Sequence, residues 1–134
     1  MKKVILGFFT LVVAALFTQV SAQTTYTFTT AGATGTDGPS QAQLNAEYLG
    51  TTLQGAVTSS SGIQLWTVPS SGVYSIEAKG AKGGDNGANA GGHGAYVYGE
   101  VLLSGGDVLE IVVGQEGVTG TGSASGGGGG TYVV

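Results

Sequence analysis

Glycine is the residue that most restricts what this chain can become. The 134 residues include 27 glycines, about three times the share of ~7% usual in soluble proteins. They gather in two blocks, 80–94 and 114–130. Both are too long for hairpin turns and too poor in bulky side chains for strands. Collagen is not the explanation, because only two prolines occur and no strict G-X-Y period runs through the chain. Disorder is disfavoured too, since 41% of the residues are hydrophobic and only 9% are charged. Two conformations stay open for the blocks. They are flexible loops of the Gly/Ser-linker kind, or extended threefold polyglycine helices whose bare backbones pack closely and hydrogen-bond to one another.

Around the blocks the pattern is β. Thr24–Thr30 alternates threonine with Tyr26 and Phe28 and predicts a strand. A turn-rich stretch over 31–40 contains Asp37-Gly38-Pro39. Ser40–Tyr48 predicts one short helix, with Ser40 and Gln43 at capping-box spacing and Leu44 and Tyr48 on one face. Gly62–Val68 predicts a strand that places Ile63 and Leu65 on one side and Gln64, Trp66 and Val68 on the other. The Pro69-Ser70-Ser71-Gly72 turn leads to Val73–Ala78, with Tyr74, Ile76 and Ala78 on one face, so these two runs predict a hairpin. Ala95–Leu103, with Val97, Val101 and Leu103 on one side, and Val108–Val113, with Leu109, Ile111 and Val113 on one face, predict a second hairpin around Ser104-Gly105-Gly106-Asp107. Thr131–Val134 begins one more strand. Several short strands with Gly-rich turns predict an all-β sandwich.

The first 22 residues read as a secretory signal peptide. Lys2 and Lys3 precede the apolar run Val4–Phe17, and Val20 and Ala22 supply the small residues before a cleavage point. The apolar run is short for a membrane span, and no basic stop-transfer cluster follows it. No cysteine stands at the cleavage point, so lipid attachment there is excluded. The expected mature chain is one domain over 23–134. It keeps only Lys79 and Lys82 against eight acidic residues, a net charge of −6. Such a surface repels nucleic acid and anionic lipid. Neither is expected as a partner, and no membrane insertion is expected after signal cleavage. The absence of cysteine removes disulfides, thiolate metal sites and cysteine nucleophiles.

No catalytic constellation emerges. The single histidine, His93, sits in Gly91-Gly92-His93-Gly94 and reads as an exposed loop residue rather than a general base. Asp85 and Asn86 offer oxygen ligands, yet Gly83–Gly87 matches neither the calcium-binding nonapeptide nor the EF-hand spacing. No phosphate-binding loop motif is present, and Gly126–Gly130 precedes a strand rather than a helix. Trp66 and the six tyrosines raise the possibility of sugar stacking, but an alternating strand favours core packing for Trp66. Glu47, Glu77, Glu100, Glu110 and Glu116 show no convergent pair of the kind glycoside hydrolysis needs. No cofactor or metal is expected.

Six runs taken in order carry a resemblance. They are GIQLWTVP (Gly62–Pro69), SGVYSI (Ser71–Ile76), AKGAKGG (Ala78–Gly84), GGHGA (Gly91–Ala95), GDVLEIVVGQEG (Gly106–Gly117) and GGGGGTYVV (Gly126–Val134). FTTAGATGTDGPS (Phe28–Ser40) fits the same series. Together they resemble the glycine-rich extracellular domain of the anaplastic lymphoma kinase and leukocyte tyrosine kinase receptors. The motif positions are Trp66, Val68, Pro69, Gly72, Tyr74, Gly106, Asp107, Gly114, Gln115, Gly117, Gly126, Gly127, Gly128, Gly129 and Gly130. The resemblance implies a tumour-necrosis-factor-like (jelly-roll) sandwich with glycine tracts inserted as polyglycine helices. It also implies protein recognition outside the cell. The chain departs from the receptors by lacking their cysteines, a kinase domain and a membrane helix. It ends where the family domain continues, so the sheet is expected to be incomplete.

The expected function is an exported, non-catalytic binding, adhesion or structural module, secreted or at the cell surface. Its expected partner is an extracellular protein or glycan. Two alternatives are the N-terminal ligand-binding fragment of a larger surface protein and a secreted hydrolase, the latter supported by nothing beyond export and carboxylates.

Overall fold

Ser40 starts the one helix among the described residues for the reason its sequence suggests. Its side chain accepts from the Gln43 backbone N–H while the Gln43 side chain accepts from the Ser40 backbone N–H. This capping box, worth about 1 kcal/mol, fixes α1 (Gln41–Glu47). The computed structural model describes residues 23–87, 89–120 and 124–134. The signal-peptide segment therefore lies outside the described residues.

Six strands follow α1: β1 (Val57–Ser60), β2 (Ile63–Thr67), β3 (Gly72–Lys79), β4 (Tyr96–Leu103), β5 (Val108–Val112) and β6 (Tyr132–Val133). They form two antiparallel sheets, one ordered β1-β2-β5-β6 and one formed by β3 and β4. β1 and β2 join through Ser61-Gly62, both with positive φ, the geometry that a two-residue hairpin turn requires. The outer edge of β1 is closed by a side chain. Gln41 accepts from Ser59 N at 2.8 Å and donates to Val57 O at 3.1 Å, imitating a neighbouring strand.

Both predicted hairpins are corrected. β2 pairs with β5, not with β3, and β4 pairs with β3, not with β5. The turns at 69–71 and 104–107 reverse the chain but carry it from one sheet to the other. They lie side by side, because Val68 N donates to Asp107 O and Gly106 N donates to Val68 O, each at 2.8 Å. The reason is burial. Gln64, Trp66 and Val68 on one strand and Tyr74, Ile76 and Ala78 on the other can face each other only from opposite sheets. A turn signal records a reversal and says nothing about which sheet receives the chain. Thr24–Thr30 is also corrected. It is extended, with Tyr26 and Phe28 turned inward, but it joins no ladder. Side chains hold it instead: Thr52 Oγ1 donates to Thr25 O at 2.8 Å, and Thr29 N donates to Tyr48 Oη at 3.1 Å.

The core gathers Leu44, Tyr48, Leu53, Val57, Trp66, Val68, Leu103 and Ile111. Trp66 is its aromatic hub, with ring centroids of Tyr26, Phe28 and Tyr74 at 4.7, 5.8 and 6.2 Å. Gln64, only 1% exposed, is the buried polar residue within it. Its Oε1 accepts from Tyr48 Oη at 2.6 Å and its Nε2 donates to Thr29 O at 2.7 Å. One side chain thus ties β2, the end of α1 and the extended N-terminal segment together. Burial raises the Tyr48 pKa, so the hydroxyl stays a donor. Gln64→Leu is expected to cost about 2–4 kcal/mol, because it strands the Tyr48 hydroxyl and the Thr29 carbonyl in the core. Urea unfolding checks this. A loss below about 1 kcal/mol would show that water reaches both groups.

Candidate functional site

Two features could act on another molecule: a cleft between the sheets and the glycine blocks beside it. The cleft is a consequence of strand count. Four strands form one sheet, but only β3 and β4 form the other, so the sandwich is not closed over its whole width. The opening is about 830 Å³. Tyr26, Phe28, Trp66 and Tyr74 supply aromatic wall, and Ile76, Leu109, Ile111, Val113 and Val133 supply aliphatic wall. Every residue of β3 from Gly72 to Glu77 lines it, whereas of β4 only Leu103 does. The polar lining comes from Gln23–Thr25, Thr27, Ser70, Ser71, Ser75, Glu77, Lys79 and Thr131. The aromatic and aliphatic wall gives the apolar side chains of an extended segment a place to bury, and the hydroxyls and charges beside it can bond that segment's polar groups.

The glycine blocks are ordered by backbone hydrogen bonds that advance three residues at a time. Gly80 N and Gly83 N donate to Ala95 O and Gly92 O, both at 2.9 Å. Ala81 N and Gly84 N donate to Gly129 O and Gly126 O at 3.0 and 2.9 Å. Lys82 O and Asp85 O accept from Gly117 N and Gly120 N at 2.9 and 3.0 Å. Successive residues of 80–85 therefore address three neighbouring segments in rotation. Gly126 N and Gly129 N close the set on Val118 O and Gln115 O at 3.0 and 2.9 Å. The same period appears in packing. A Cβ at Gly114, Gly117 or Gly120 would fall within 3.0 Å of a neighbouring backbone atom, as it would at Gly91, Gly94 and Gly128.

One polar group pins this region. Asp85 accepts from Lys82 Nζ and, at 2.8 Å, from Gly91 N. The Lys82 ammonium and then the Gly91 amide hold its carboxyl below the usual carboxylate range. Glu116 lies 3.8 Å from the same ammonium. Asp85 is thus engaged within the fold, and Asn86 makes a backbone turn pair with Asn89. Among the described residues no group of three metal-ligating side chains forms. His93 is exposed on its glycine loop.

The motif positions fall into two places. Trp66, Val68, Pro69, Gly72, Tyr74, Gly106 and Asp107 meet at the paired crossovers. There Asp107 accepts from Ser104 N at 2.8 Å, and Tyr74 Oη donates to Ser70 O at 2.8 Å. Gly114, Gln115, Gly117 and Gly126–Gly130 lie in the glycine ladder. Gly114 N donates to Thr131 Oγ1 at 3.0 Å, and Gln115 Nε2 donates to Asp37 O at 2.7 Å, fastening the ladder to the turn-rich N-terminal stretch. Sequence reasoning missed the Gln64–Tyr48–Thr29 network. A lone polar residue on the Trp66 face of β2 was its only signal.

No family model matches the chain. Among curated proteins it is similar to the leukocyte tyrosine kinase receptor of Mus musculus, with 38% identity over 97 residues. The match takes in 69% of this chain and 11% of the receptor.

Proposed function

We propose that this chain, a relative of the leukocyte tyrosine kinase and anaplastic lymphoma kinase receptor family over 69% of its length, is an exported, non-catalytic module that binds protein outside the cell. The observation that carries this reading is the open cleft, whose aromatic and aliphatic walls line one side of β3. An extended segment laid there would gain main-chain hydrogen bonds from a strand edge and side-chain burial from the walls. The net charge of −6 expected for the mature chain favours a neutral or lysine-flanked segment over an acidic one. Export through residues 1–22 is part of this reading. So is a tumour-necrosis-factor-like jelly roll carrying polyglycine helices. The two adjacent crossovers between sheets support the jelly roll, and the three-residue hydrogen-bond period supports the helices.

Trp66 is the only tryptophan and lines the cleft, so its fluorescence reports occupancy. A panel of lysine-flanked peptides with alternating valine and threonine is expected to change it saturably. Ile76→Asp, which puts a charge in the cleft, is expected to weaken binding at least about tenfold. Saturable binding of oligosaccharides without any peptide response would overturn the protein-binding reading. Hydrolysis of either panel would overturn the non-catalytic one. A second reading treats the module as the ligand-binding part of a longer surface protein. The 11% share of the receptor that it spans favours this. A native secreted mass near about 11 kDa, the size left by signal removal, would count against it.

A further inference from the structure

The two sheets treat their edges differently. β1 is shielded by Gln41, but among the described residues no side chain hydrogen-bonds to the outer edge of β4. It is eight residues long and carries neither proline nor lysine. Among the described residues, β3 is the only strand it pairs with. Its side chains are exposed on both faces as far as Leu102. Val97 is 63% exposed and Leu102 76%, and Tyr96 and Tyr98 are also exposed. A long, largely apolar edge whose single charge is Glu100 is a template for pairing with another strand. This edge is also separate from the cleft, which β4 lines only through Leu103.

We infer that β4 pairs antiparallel with β4 of a second copy about a two-fold axis through Gly99, making a continuous four-stranded sheet β3-β4-β4-β3. The register follows from which residues would stand opposite each other. With Gly99 facing Gly99, Val97 faces Val101 of the second copy, Tyr96 faces Leu102, and Tyr98 faces Glu100. Apolar side chains meet apolar ones, and the one charge of the strand meets a hydroxyl donor. The Tyr98 hydroxyl already bonds Glu100 at 3.1 Å within one chain. Moving the axis to Glu100 would oppose two carboxylates, which destabilises a cross-strand pair. Gly99 at the axis leaves room, since nothing lies within 4 Å of where its Cβ would be. A sheet of two strands gains stability by becoming four. The contact is small, so the dimer is expected to be weak, with a dissociation constant of about 10–100 μM.

The test uses the secreted protein in sedimentation across a concentration series, with single-cysteine variants for register. The chain has no cysteine of its own, so an introduced one can pair only with its copy. Directly opposed residues in an antiparallel pair have Cα atoms about 4.5–5.5 Å apart, within disulfide reach. Gly99→Cys is therefore expected to yield a covalent dimer under mild oxidation. Tyr98→Cys is expected to yield little, because its two copies are offset along the strand. Val97→Lys, at an exposed position that leaves the monomer intact, is expected to abolish the doubled mass. A monomer throughout the series overturns the proposal. So does cross-linking at position 98 in preference to 99, or a dimer indifferent to Val97→Lys.

Discussion

Gly117→Ala is expected to lower stability by more than about 3 kcal/mol, whereas Gly127→Ala in the neighbouring segment leaves it unchanged or raises it by about 0.5 kcal/mol. At Gly117 the added methyl would fall within 3.0 Å of both Gly126 O and Gly84 N, so three segments meet there with no space for a side chain. Both obstructing atoms are backbone, and both residues donate in the ladder, so neither can move without breaking hydrogen bonds. At Gly127 nothing lies within 4 Å. The same substitution there only narrows the freedom of the unfolded chain. Paired urea titrations of the two variants check the contrast. Equal effects would mean that the blocks behave as loops. Amide exchange gives an independent reading. Gly126 and Gly129 donate in the ladder and should exchange slowly, while Gly127, which donates to no backbone carbonyl among the described residues, should exchange faster.

Trp66→Ala is expected to cost about 3–5 kcal/mol, a large share of the roughly 5–15 kcal/mol that holds a domain of this size together. The ring is the contact shared by Tyr26, Phe28 and Tyr74, which come from the N-terminal segment and from the β3–β4 sheet. Its removal therefore loosens the extended segment and the inter-sheet contact at once, and the open cleft lets water into the space. Val97→Ala, on the exposed part of β4, should stay within about 0.5 kcal/mol. Denaturant midpoints for the two variants test this. A Trp66→Ala loss below about 1 kcal/mol would show that the aromatic cluster contributes little to holding the sheets together.

Much of the local structure was legible. Ser40 and Gln43 announce their capping box because both partners lie within one helical turn. The alternation grouped Gln64, Trp66 and Val68 on one face of β2 and Tyr74, Ile76 and Ala78 on one face of β3, because side-chain direction in a strand depends only on parity, and the structure turns both faces inward. The Thr24–Thr30 segment shows the limit of parity. Tyr26 and Phe28 do turn inward, yet the chain beside them offers side chains rather than a free strand edge, so no ladder forms. For the candidate site, the glycine blocks were visible as composition. Their hydrogen-bond period was not, since several bonds of the ladder join segments far apart in sequence, such as Ala81 and Gly129.

The sequence alone determined which residues of each strand share a face, where the chain turns, that cysteine chemistry is absent, and that two segments have few side chains to pack. These properties depend on neighbours a few residues away. Only the tertiary structure decided that β2 pairs with β5 and β3 with β4, that Gln64 is a buried hub, and that one sheet stops at two strands and leaves a cleft. Strand pairing is chosen by the total burial of two faces across a core. A run of twenty residues carries no record of the face it will meet.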